Sequence, residues 1–466
     1  MKLNINPKSD RTKKAIISLC DNDITMEAFG VDYSNTKLEI STQYFENNNA
    51  VIFAKPEIGS IHHKTKEVFR KAGAQTWSKI IELKLTKLSL FTSKDISSDL
   101  QLSFIEGLLL ASYKFDKYLT KKGEEIELEI SEELFEDSYF QELFNVAQAN
   151  THAKNLVNEP VNFLNTQQFS QEMKNLGEEA GFEVEVLEKK QIEALNMGGL
   201  LAVNKGSVDP PAFNILTYKP EGAKNSKPFV LVGKGVVYDT GGYNIKTGDH
   251  MNDMKLDMGG AAAVIGAIYA ISKNKLPVHV IGLIPSTDNR INGEALVPDD
   301  IITMHNGKTV EVKNTDAEGR LILADALSYA QKYDPELVFD MATLTGSAMM
   351  LTGDMASCIM GNATTQVKSQ LTESGYDTHE RVAEVPFWDD YQEMLKSDVA
   401  DISNLGGRIG GMITAGKFLE NFVDYPWIHI DLAGPAFVDT NKDYRQKGGT
   451  AYGVRLIYDF VKSYWN

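Results

Sequence analysis

Short apolar runs alternate with helical patterns through the second half of the chain. The strand-like runs are rich in β-branched residues: FEVEVLE from Phe182, PPAFNILTY, KPFVLVGKG, LPVHVIGLIP and ELVFDMATL. Two helical patterns lie among them, GGAAAVIGAIYAIS and LILADALSYAQ. This alternation favours a mixed, largely parallel central sheet covered by helices on both faces. Ligands collect at the carboxyl ends of strands in such sheets, so the loops after the strands are predicted to hold the chemistry.

The first part of the chain carries a second α/β pattern. Strands are indicated by AIISL, KLEIST, AVIFAK and IIELKLTKLSL. One face of a predicted helix carries Phe104, Leu108, Ala111, Phe115 and Leu119, and the charged stretch KKGEEIELEISEELFED ends that helix. Ligand-type residues do not cluster here, so a packing or assembly domain is expected.

A connector separates the two patterns. The segment FNVAQANTHAKNLVNEPVNFL begins as a helix and breaks at Pro160. A chain of 466 residues is too long for one ordinary domain, and its 42% hydrophobic content suffices for large cores. We therefore predict a smaller N-terminal α/β domain over residues 1–145, a connecting helix over 146–160 and a larger catalytic domain over 161–466.

Charge and cysteine content indicate the setting of the protein. The formal net charge of −17 argues against sequence-independent binding to nucleic acid or to an anionic membrane surface, because either kind of binding needs basic patches. Cys20 and Cys358 are too few for a disulfide framework or a thiolate zinc site. The N-terminus lacks an apolar leader, and the longest apolar run, Ala261 to Ile271, is short of a membrane span. A cytoplasmic protein is expected.

The loop NTDAEGRL, residues 314–321, concentrates charge between a strand-like run and a helical run. In an extended backbone Asp316 and Glu318 point to the same side, where like charges repel unless a cation or a shared proton holds them. Arg320 continues that side and is suited to carry an anion or support the carboxylates. The alternative is a solvated loop in which Asp316 caps the helix.

Further acidic loops follow KPFVLVGKG, at Asp239, and precede the glycine-opened helix, at Asp253 and Asp257. None of the eight histidines forms an HxH or HExxH pattern, so a metal site must rest on carboxylates, which favour zinc, manganese or magnesium. Two ions that share carboxylates hold a hydroxide between them. Lys234 and Lys246 either polarise a substrate carbonyl, bind metal through a deprotonated nitrogen, or simply pair with the aspartates.

Four blocks in this order resemble the leucyl aminopeptidase family of dinuclear metal exopeptidases: VGKGVVYDTGGYNIK, MKLDMGGAAAV, NTDAEGRLILADAL and MATLTG. Further agreement comes from NLVNEPVN, MGGLLAVNKGS and WIHIDLAGPA, and the resemblance covers roughly residues 145 to 466. The N-terminal part resembles the family only in length and α/β pattern. The resemblance implies a metal-dependent hydrolase that removes leucine and similar N-terminal residues from peptides with a free N-terminus, in cytosolic peptide turnover.

The resemblance also implies the metal ligands: Lys234, Asp239, Asp257, Asp316 and Glu318. Asp239 and Glu318 would bridge two divalent ions, zinc or manganese. Asp316 would complete one site, and Lys234 with Asp257 would complete the other.

Catalytic and pocket residues are implied in the same way. Lys246 would polarise the scissile carbonyl, and Arg320 would hold a bicarbonate ion as general base toward a water that bridges the metals. The pocket for the substrate's first side chain would be lined by Met254, Thr343, Leu344 and Gly346. The alternative for Met254 and Leu344 is the hydrophobic core.

The sequence departs from the family pattern beside Lys246. Tyr243 and Asn244 stand where the family usually has an aliphatic residue and a serine, which bears on substrate preference and on the pose of the lysine. The resemblance implies a homohexamer, a trimer of catalytic domains dimerised through the N-terminal parts. Two alternative functions are a DNA-binding role, which the acidic net charge disfavours, and a preference for dipeptide substrates, for instance cysteinyl-glycine.

Overall fold

The computed structural model describes residues 2–6, 15–19, 40–45, 49–92, 96–123, 126–131 and 137–465. The chain divides into two compact units, Met1–Ala147 with Thr440–Lys447, and Gln148–Asp439 with Gly448–Asn466. Each unit contains a sheet and helices, so the predicted α/β class is confirmed.

The first unit is built on a six-stranded sheet. Its strands are β1 (Lys2–Asn6), β2 (Ala15–Leu19), β3 (Ile40–Phe45), β4 (Asn49–Ala54), β5 (Lys87–Thr92) and β6 (Glu127–Ser131). The order is β1-β6-β5-β2-β4-β3, and only β3 runs antiparallel to its neighbour. Helices α1 (His62–Glu82) and α2 (Ser98–Ala111) cross closely, because a Cβ on Gly107 would lie 1.9 Å from the carbonyl oxygen of Arg70.

Two predictions for this unit are wrong. Helix α2 ends at Ala111, so Phe115 and Leu119 lie beyond it; the Ser112 hydroxyl donates to the Leu109 carbonyl oxygen at 2.7 Å, a local bond that competes with further helix. The first residues of IIELKLTKLSL belong to α1, and its strand begins only at Lys87. Residues 37–39 of KLEIST, the inner part of KKGEEIELEISEELFED at 124–125 and 132–136, and Cys20 lie outside the described residues.

The second unit has a larger set of strands: β7 (Glu183–Glu188), β8 (Ala212–Tyr218), β9 (Phe229–Gly233), β10 (Gly235–Asp239), β11 (Val280–Asn289), β12 (Ile301–Thr303), β13 (Thr309–Glu311), β14 (Leu337–Ala342), β15 (Ser357–Met360), β16 (Val382–Glu384), β17 (Ile402–Ser403), β18 (Trp427–Asp431), β19 (Phe437–Val438) and β20 (Gly448–Gly449). The nine-stranded sheet has the order β16-β15-β18-β14-β9-β11-β8-β7, with β10 beside β11. Strands β18, β14, β9 and β11 run parallel, while β15 and β8 run antiparallel to their neighbours in this group, so the sheet is mixed, as predicted.

The helices that follow the first unit's α2 are α3 (Asp137–Asn158), α4 (Thr166–Ala180), α5 (Lys189–Ala194), α6 (Gly198–Asn204), α7 (Gly259–Lys273), α8 (Glu318–Ala330), α9 (Gly346–Thr352), α10 (Thr365–Thr378), α11 (Gly411–Glu420) and α12 (Val454–Tyr464). The boundary between the two units falls within α3. A 3-10 turn at Met254–Met258 leads into α7. The helices predicted from GGAAAVIGAIYAIS and LILADALSYAQ correspond to α7 and α8.

Helices α7 and α8 cover opposite faces of the sheet. A Cβ on Gly282 of β11 would meet Ile268 of α7 at 2.5 Å. The flanking Ile281 and Leu283 belong instead to the hydrophobic core that contains Leu323 of α8. Since neighbouring side chains of a strand point to opposite faces, the predicted covering by helices on both faces is confirmed.

One stretch of the described chain, Met254–Lys273, is long and apolar enough to cross a membrane, but 83% of it is buried inside the protein, as in a core helix. Cys358 is a buried free thiol in β15.

Candidate active site

Six of the predicted residues meet at one edge of the nine-stranded sheet: Lys234, Asp239, Lys246, Asp257, Asp316 and Glu318. Lys234 directly follows β9, and Asp239 is the last residue of β10. Asp257 lies in the 3-10 turn before α7, and Glu318 is the first residue of α8. The carboxyl ends of the strands and the starts of two helices therefore place the cluster where the sequence predicted ligands to collect.

Lys234 is enclosed by carboxylates. Its Nζ lies 2.8 Å from both oxygens of Asp257 and 2.8 Å from Glu318 Oε1, and it donates to the Thr343 carbonyl oxygen at 3.2 Å. Burial alone would lower the pKa of Lys234, but the negative charges of Asp257 and Glu318 outweigh burial and raise it. Lys234 is thus held here as an ammonium ion.

Gly319 makes room for this lysine. A Cβ at position 319 would lie 2.5 Å from Lys234 Cε and 2.7 Å from its Nζ. The glycine of NTDAEGR is therefore explained by the Lys234 side chain, which packs directly against position 319.

Lys246 pairs with the other two carboxylates. Its Nζ lies 2.7 Å from Asp239 Oδ2 and 2.6 Å from Asp316 Oδ1. The Asp316 side chain is 32% exposed, whereas that of Glu318 is 2% exposed, so this end of the cluster is the more open one. The pKa of Lys246 is raised because the surrounding carboxylates, Asp239 foremost, outweigh the opposing effect of burial.

The backbone around NTDAEGR is not extended, so that part of the prediction is wrong. Asn314 Oδ1 accepts a hydrogen bond from Asp316 N at 2.8 Å, and this local bond turns the chain before α8. Ala317 is the N-cap of α8, so Asp316 does not cap the helix. Asp316 and Glu318 nevertheless face one another across the turn, with carboxylate oxygens close together.

The cluster fits divalent metal ions. One carboxylate oxygen from each of Asp239, Asp316 and Glu318 lies within 4.8 Å of the other two. Glu318 Oε2 is buried and has no hydrogen-bond partner in the described part of the chain. Burial, followed by the charge of Glu318, raises the pKa of Asp239 to about 6. Crowded, partly unsatisfied oxygen donors are ligands for hard cations, and a cation would relieve their repulsion.

The ion pairs of Lys234 and Lys246 with acidic residues, one of the alternatives that the sequence offered, are therefore present. The same carboxylates form a ligand set that a metal ion would fit. For Lys234 to act as a nitrogen ligand it must lose the proton that Asp257 and Glu318 now stabilise, which an adjacent metal ion favours.

Arg320 makes its hydrogen bond to a residue outside the carboxylate cluster. It is 6% exposed and donates from Nη1 to the Asn404 carbonyl oxygen at 2.7 Å. No ion pair joins it to Glu318 in the described chain, and its buried Nε has no hydrogen-bond partner there. Burial lowers the pKa of Arg320 to about 10, against the charges of Glu318 and Asp431, so the guanidinium stays protonated at neutral pH. A donor of this kind is suited to hold an anion.

The four predicted pocket residues lie in different environments. Thr343 donates from Oγ1 to Asp257 Oδ1 at 2.9 Å. Leu344 packs partly buried against the hydrophobic core, so its core alternative has support. Gly346 opens α9 with no atom within 4 Å of an added Cβ, and Met254 begins the 3-10 turn that carries Asp257.

Several supporting residues were not singled out as site residues from the sequence. Asp431, at the end of β18, accepts from Leu344 N at 3.2 Å and from Thr345 Oγ1 at 2.6 Å, and so anchors the loop that follows Thr343. Asn289, at the end of β11, donates to Asp239 Oδ1 at 2.8 Å. Their signal in the sequence is a polar residue at the carboxyl end of an apolar strand, in WIHIDLAGPA and in the run that follows LPVHVIGLIP.

Comparison with known proteins identifies a family. Residues 151–458 match the catalytic domain of the cytosol aminopeptidase family. A probable cytosol aminopeptidase from Chlorobium phaeobacteroides is 41% identical over 472 residues, covering 96% of this chain and 93% of that protein. One from Aquifex aeolicus is 44% identical over 375 residues, covering 79% and 75%. A solved structure, the bottromycin maturation enzyme BotP in complex with Mn, has a TM-score of 0.87 at 28% identity and covers 97% of this chain and 100% of its own.

The mixed sheet and the carboxylate cluster define an α/β metallohydrolase. The chain belongs to the cytosol aminopeptidase family, which confirms the resemblance found in the sequence, and the protein is a metal-dependent aminopeptidase.

A glycine substitution tests the packing of Lys234. In Gly319→Ala the new Cβ must displace the Lys234 ammonium group from Asp257 and Glu318, because 2.5 Å is too close for contact. Since small misplacements in a catalytic constellation are costly, we expect kcat/KM for a leucyl-amide substrate to fall about 100-fold. Gly293→Ala is the matched control, because nothing lies within 4 Å of its Cβ. Equal activity of the two variants would contradict this account of Gly319.

Proposed function

We propose that the protein hydrolyses the N-terminal residue, leucine and similar residues, from peptides with a free N-terminus, at a dinuclear metal site. The observation that carries the proposal is the meeting of three carboxylate oxygens within 4.8 Å, flanked by Lys234 and Lys246, at the carboxyl ends of the central strands. Two lysines and a cluster of acidic residues match the ligand and catalytic pattern that the family resemblance implies.

The proposed metal ligands are Lys234, Asp239, Asp257, Asp316 and Glu318. Asp239 and Glu318 would be shared between the two ions, with Zn²⁺ or Mn²⁺ as the proposed metals; the relative BotP has a structure with Mn. Divalent ions in such a site act as Lewis acids, which lower the pKa of water and neutralise charge that develops on oxygen.

Lys246 would polarise the scissile carbonyl. Its ammonium group lies at the more exposed end of the cluster, where Asp316 is accessible, and the surrounding carboxylates raise its pKa. A fixed positive charge aimed at the carbonyl oxygen stabilises the oxyanion as it forms.

Arg320 would hold a bicarbonate ion through its unpartnered Nε. Each carboxylate of the cluster faces a lysine or another carboxylate, and the cluster contains no histidine, so an anion held by Arg320 supplies the base that the reaction needs. The side chain of the substrate's first residue would lie among Met254, Thr343, Leu344 and Gly346, where the open space at Gly346 leaves room for it.

We also propose a cytoplasmic role in peptide turnover and a homohexamer. The names of the relatives, cytosol aminopeptidases, support the location. Exposed apolar side chains support an assembly, since large apolar groups on a surface commonly mark contacts between chains: Met349, Met350, Leu351 and Met355 are 53%, 87%, 59% and 48% exposed. The proposed role of the N-terminal unit is in this assembly.

The proposed role of Lys246 is tested by its removal. In Lys246→Ala we expect kcat for a leucyl-amide substrate to fall by about 100-fold or more, as when a donor that stabilises an oxyanion is lost. The variant should still unfold in one cooperative thermal transition, at a lower midpoint because Asp239 and Asp316 lose their positive partner. Lys227→Ala is the control, since it removes a half-exposed lysine paired with Asp334. Wild-type kcat in Lys246→Ala would overturn the assignment.

Metal dependence is tested by chelation and add-back. Dialysis against a chelator should abolish turnover of the leucyl-amide substrate, because the carboxylates then lack the ions that activate water. Addition of Zn²⁺, Mn²⁺, Mg²⁺ and Co²⁺ in turn should restore activity to different extents, which identifies the preferred ion. Full activity in the metal-free protein would exclude the proposed mechanism.

The hexamer is tested by light scattering during size exclusion. The expected mass is six times the 51.7 kDa of the chain. Met350→Lys should lower the mass if this side chain is buried in the assembly, because a charge is costly there. A wild-type mass of one chain contradicts the hexamer.

A further inference from the structure

We propose that Asn244 and Asn289 are positioning residues. Both form hydrogen bonds to Thr315, and they thereby hold the Asp316 carboxylate close to Asp239 and Lys246. The inference rests on the proposed function, because its purpose is the spacing of the proposed metal ligands. Neither asparagine would touch the substrate.

Asn289 joins the two ligand loops directly. Its side chain is buried, and Nδ2 donates both to Asp239 Oδ1 at 2.8 Å and to the Thr315 carbonyl oxygen at 3.1 Å. The backbone carbonyl oxygen of Asn289 accepts from Thr240 N at 3.0 Å and from Thr240 Oγ1 at 2.8 Å. One side chain at the end of β11 therefore spans from a proposed bridging carboxylate to the residue before Asp316.

Thr315 has each of its polar groups engaged by these partners. Its N–H donates to Asn244 Oδ1 at 2.8 Å, and its hydroxyl donates to the Gly241 carbonyl oxygen at 2.6 Å and accepts from Asn244 N at 2.9 Å. Its carbonyl oxygen accepts from Asn289. Thr315 is 1% exposed, so water does not replace these bonds easily.

The residues around Thr315 are closely packed as well as hydrogen-bonded. A Cβ on Gly242, which has φ of 62°, would lie 2.9 Å from Thr315 Oγ1 and 3.0 Å from Asn289 Oδ1. The loop between β10 and Lys246 thus lies directly against Thr315 and Asn289, and glycine is the residue that fits there.

The consequence for the site follows from chain connectivity. Asp316 is the next residue after Thr315, and Lys246 is two residues after Asn244. Asp316 Oδ1 and Lys246 Nζ approach to 2.6 Å, and Lys246 Nζ is 2.7 Å from Asp239 Oδ2. The two asparagines therefore set how far apart these three groups lie, and metal affinity depends on such outer partners of the ligands.

The test uses the full-length protein and Mn²⁺ as the probe. The variants are Asn244→Ala, Asn289→Ala and the double variant. Asn225→Ala is the matched control: Asn225 is also buried, and its Nδ2 donates to two backbone carbonyls, of Lys227 at 2.9 Å and His279 at 2.8 Å, at the opposite end of β11. Calorimetric titration measures Mn²⁺ affinity, and thermal unfolding of the metal-free protein measures stability.

We expect each single variant to bind the weaker of two Mn²⁺ ions about 10- to 100-fold less tightly, as is usual when an outer partner of a ligand is lost. Because both asparagines act through Thr315, the double variant should lose much less affinity than the product of the two single losses. Asn225→Ala should lower the unfolding midpoint and leave Mn²⁺ affinity unchanged. A residue with only a structural role would change stability alone.

Three results would overturn the inference: unchanged Mn²⁺ affinity in both single variants, losses that multiply in the double variant, or an equal loss in Asn225→Ala. A wild-type protein that binds neither Mn²⁺ nor Zn²⁺ would instead overturn the proposed function, and this inference with it; if only Zn²⁺ binds, the same titrations use Zn²⁺. If Asn289→Ala does not fold, Asn289→Leu takes its place, since it is of similar size but donates no hydrogen bond to Asp239 or Thr315, and the same loss is expected.

Discussion

Electrostatic repulsion among buried carboxylates is the constraint on which this site depends. Asp239, Asp257 and Glu318 are each almost fully buried, within a few residues of strand or helix ends, and burial disfavours their ionised forms. Two lysines offset that repulsion within the chain itself. Lys234 does so in the buried half, beside Asp257 and Glu318, and Lys246 in the more open half. The cluster therefore has a buried half around Lys234 and a more open half around Lys246.

The central sheet supplies the precision that such a cluster needs. Strands β9 and β10 pair one after the other with β11, and the register of β10 against β11 places Asp239 opposite Asn289. Ligand residues on strand ends and helix starts move less than residues in long loops. The α/β architecture thus brings together acidic residues that are up to 79 positions apart in the chain, from Asp239 to Glu318.

The sequence predicted the strands and helices of the second unit well, because apolar periodicity directly reflects which face is buried. The acidic loops were predicted from charge in places where strands end. Contacts between distant loops were not predictable from spacing: Asn289 meets Asp239 across 50 positions, and Asp431 meets Leu344 across 87. The end of α2 was missed; there the Ser112 hydroxyl makes a local hydrogen bond to the Leu109 carbonyl oxygen, which apolar periodicity does not reveal.

Asp431 holds the loop after Thr343 from a strand that carries none of the clustered carboxylates. Leu344 and Thr345 are bonded to Asp431 on β18, whereas Asp239 ends β10 and Glu318 begins α8. Thr343 itself is bonded to Asp257 and Lys234, so substitutions beyond it, rather than at it, leave the hydrogen bonds of the charged cluster in place. In the proposed function this loop lines the pocket, and substitutions in it would change the preferred residue while the charged cluster stays intact.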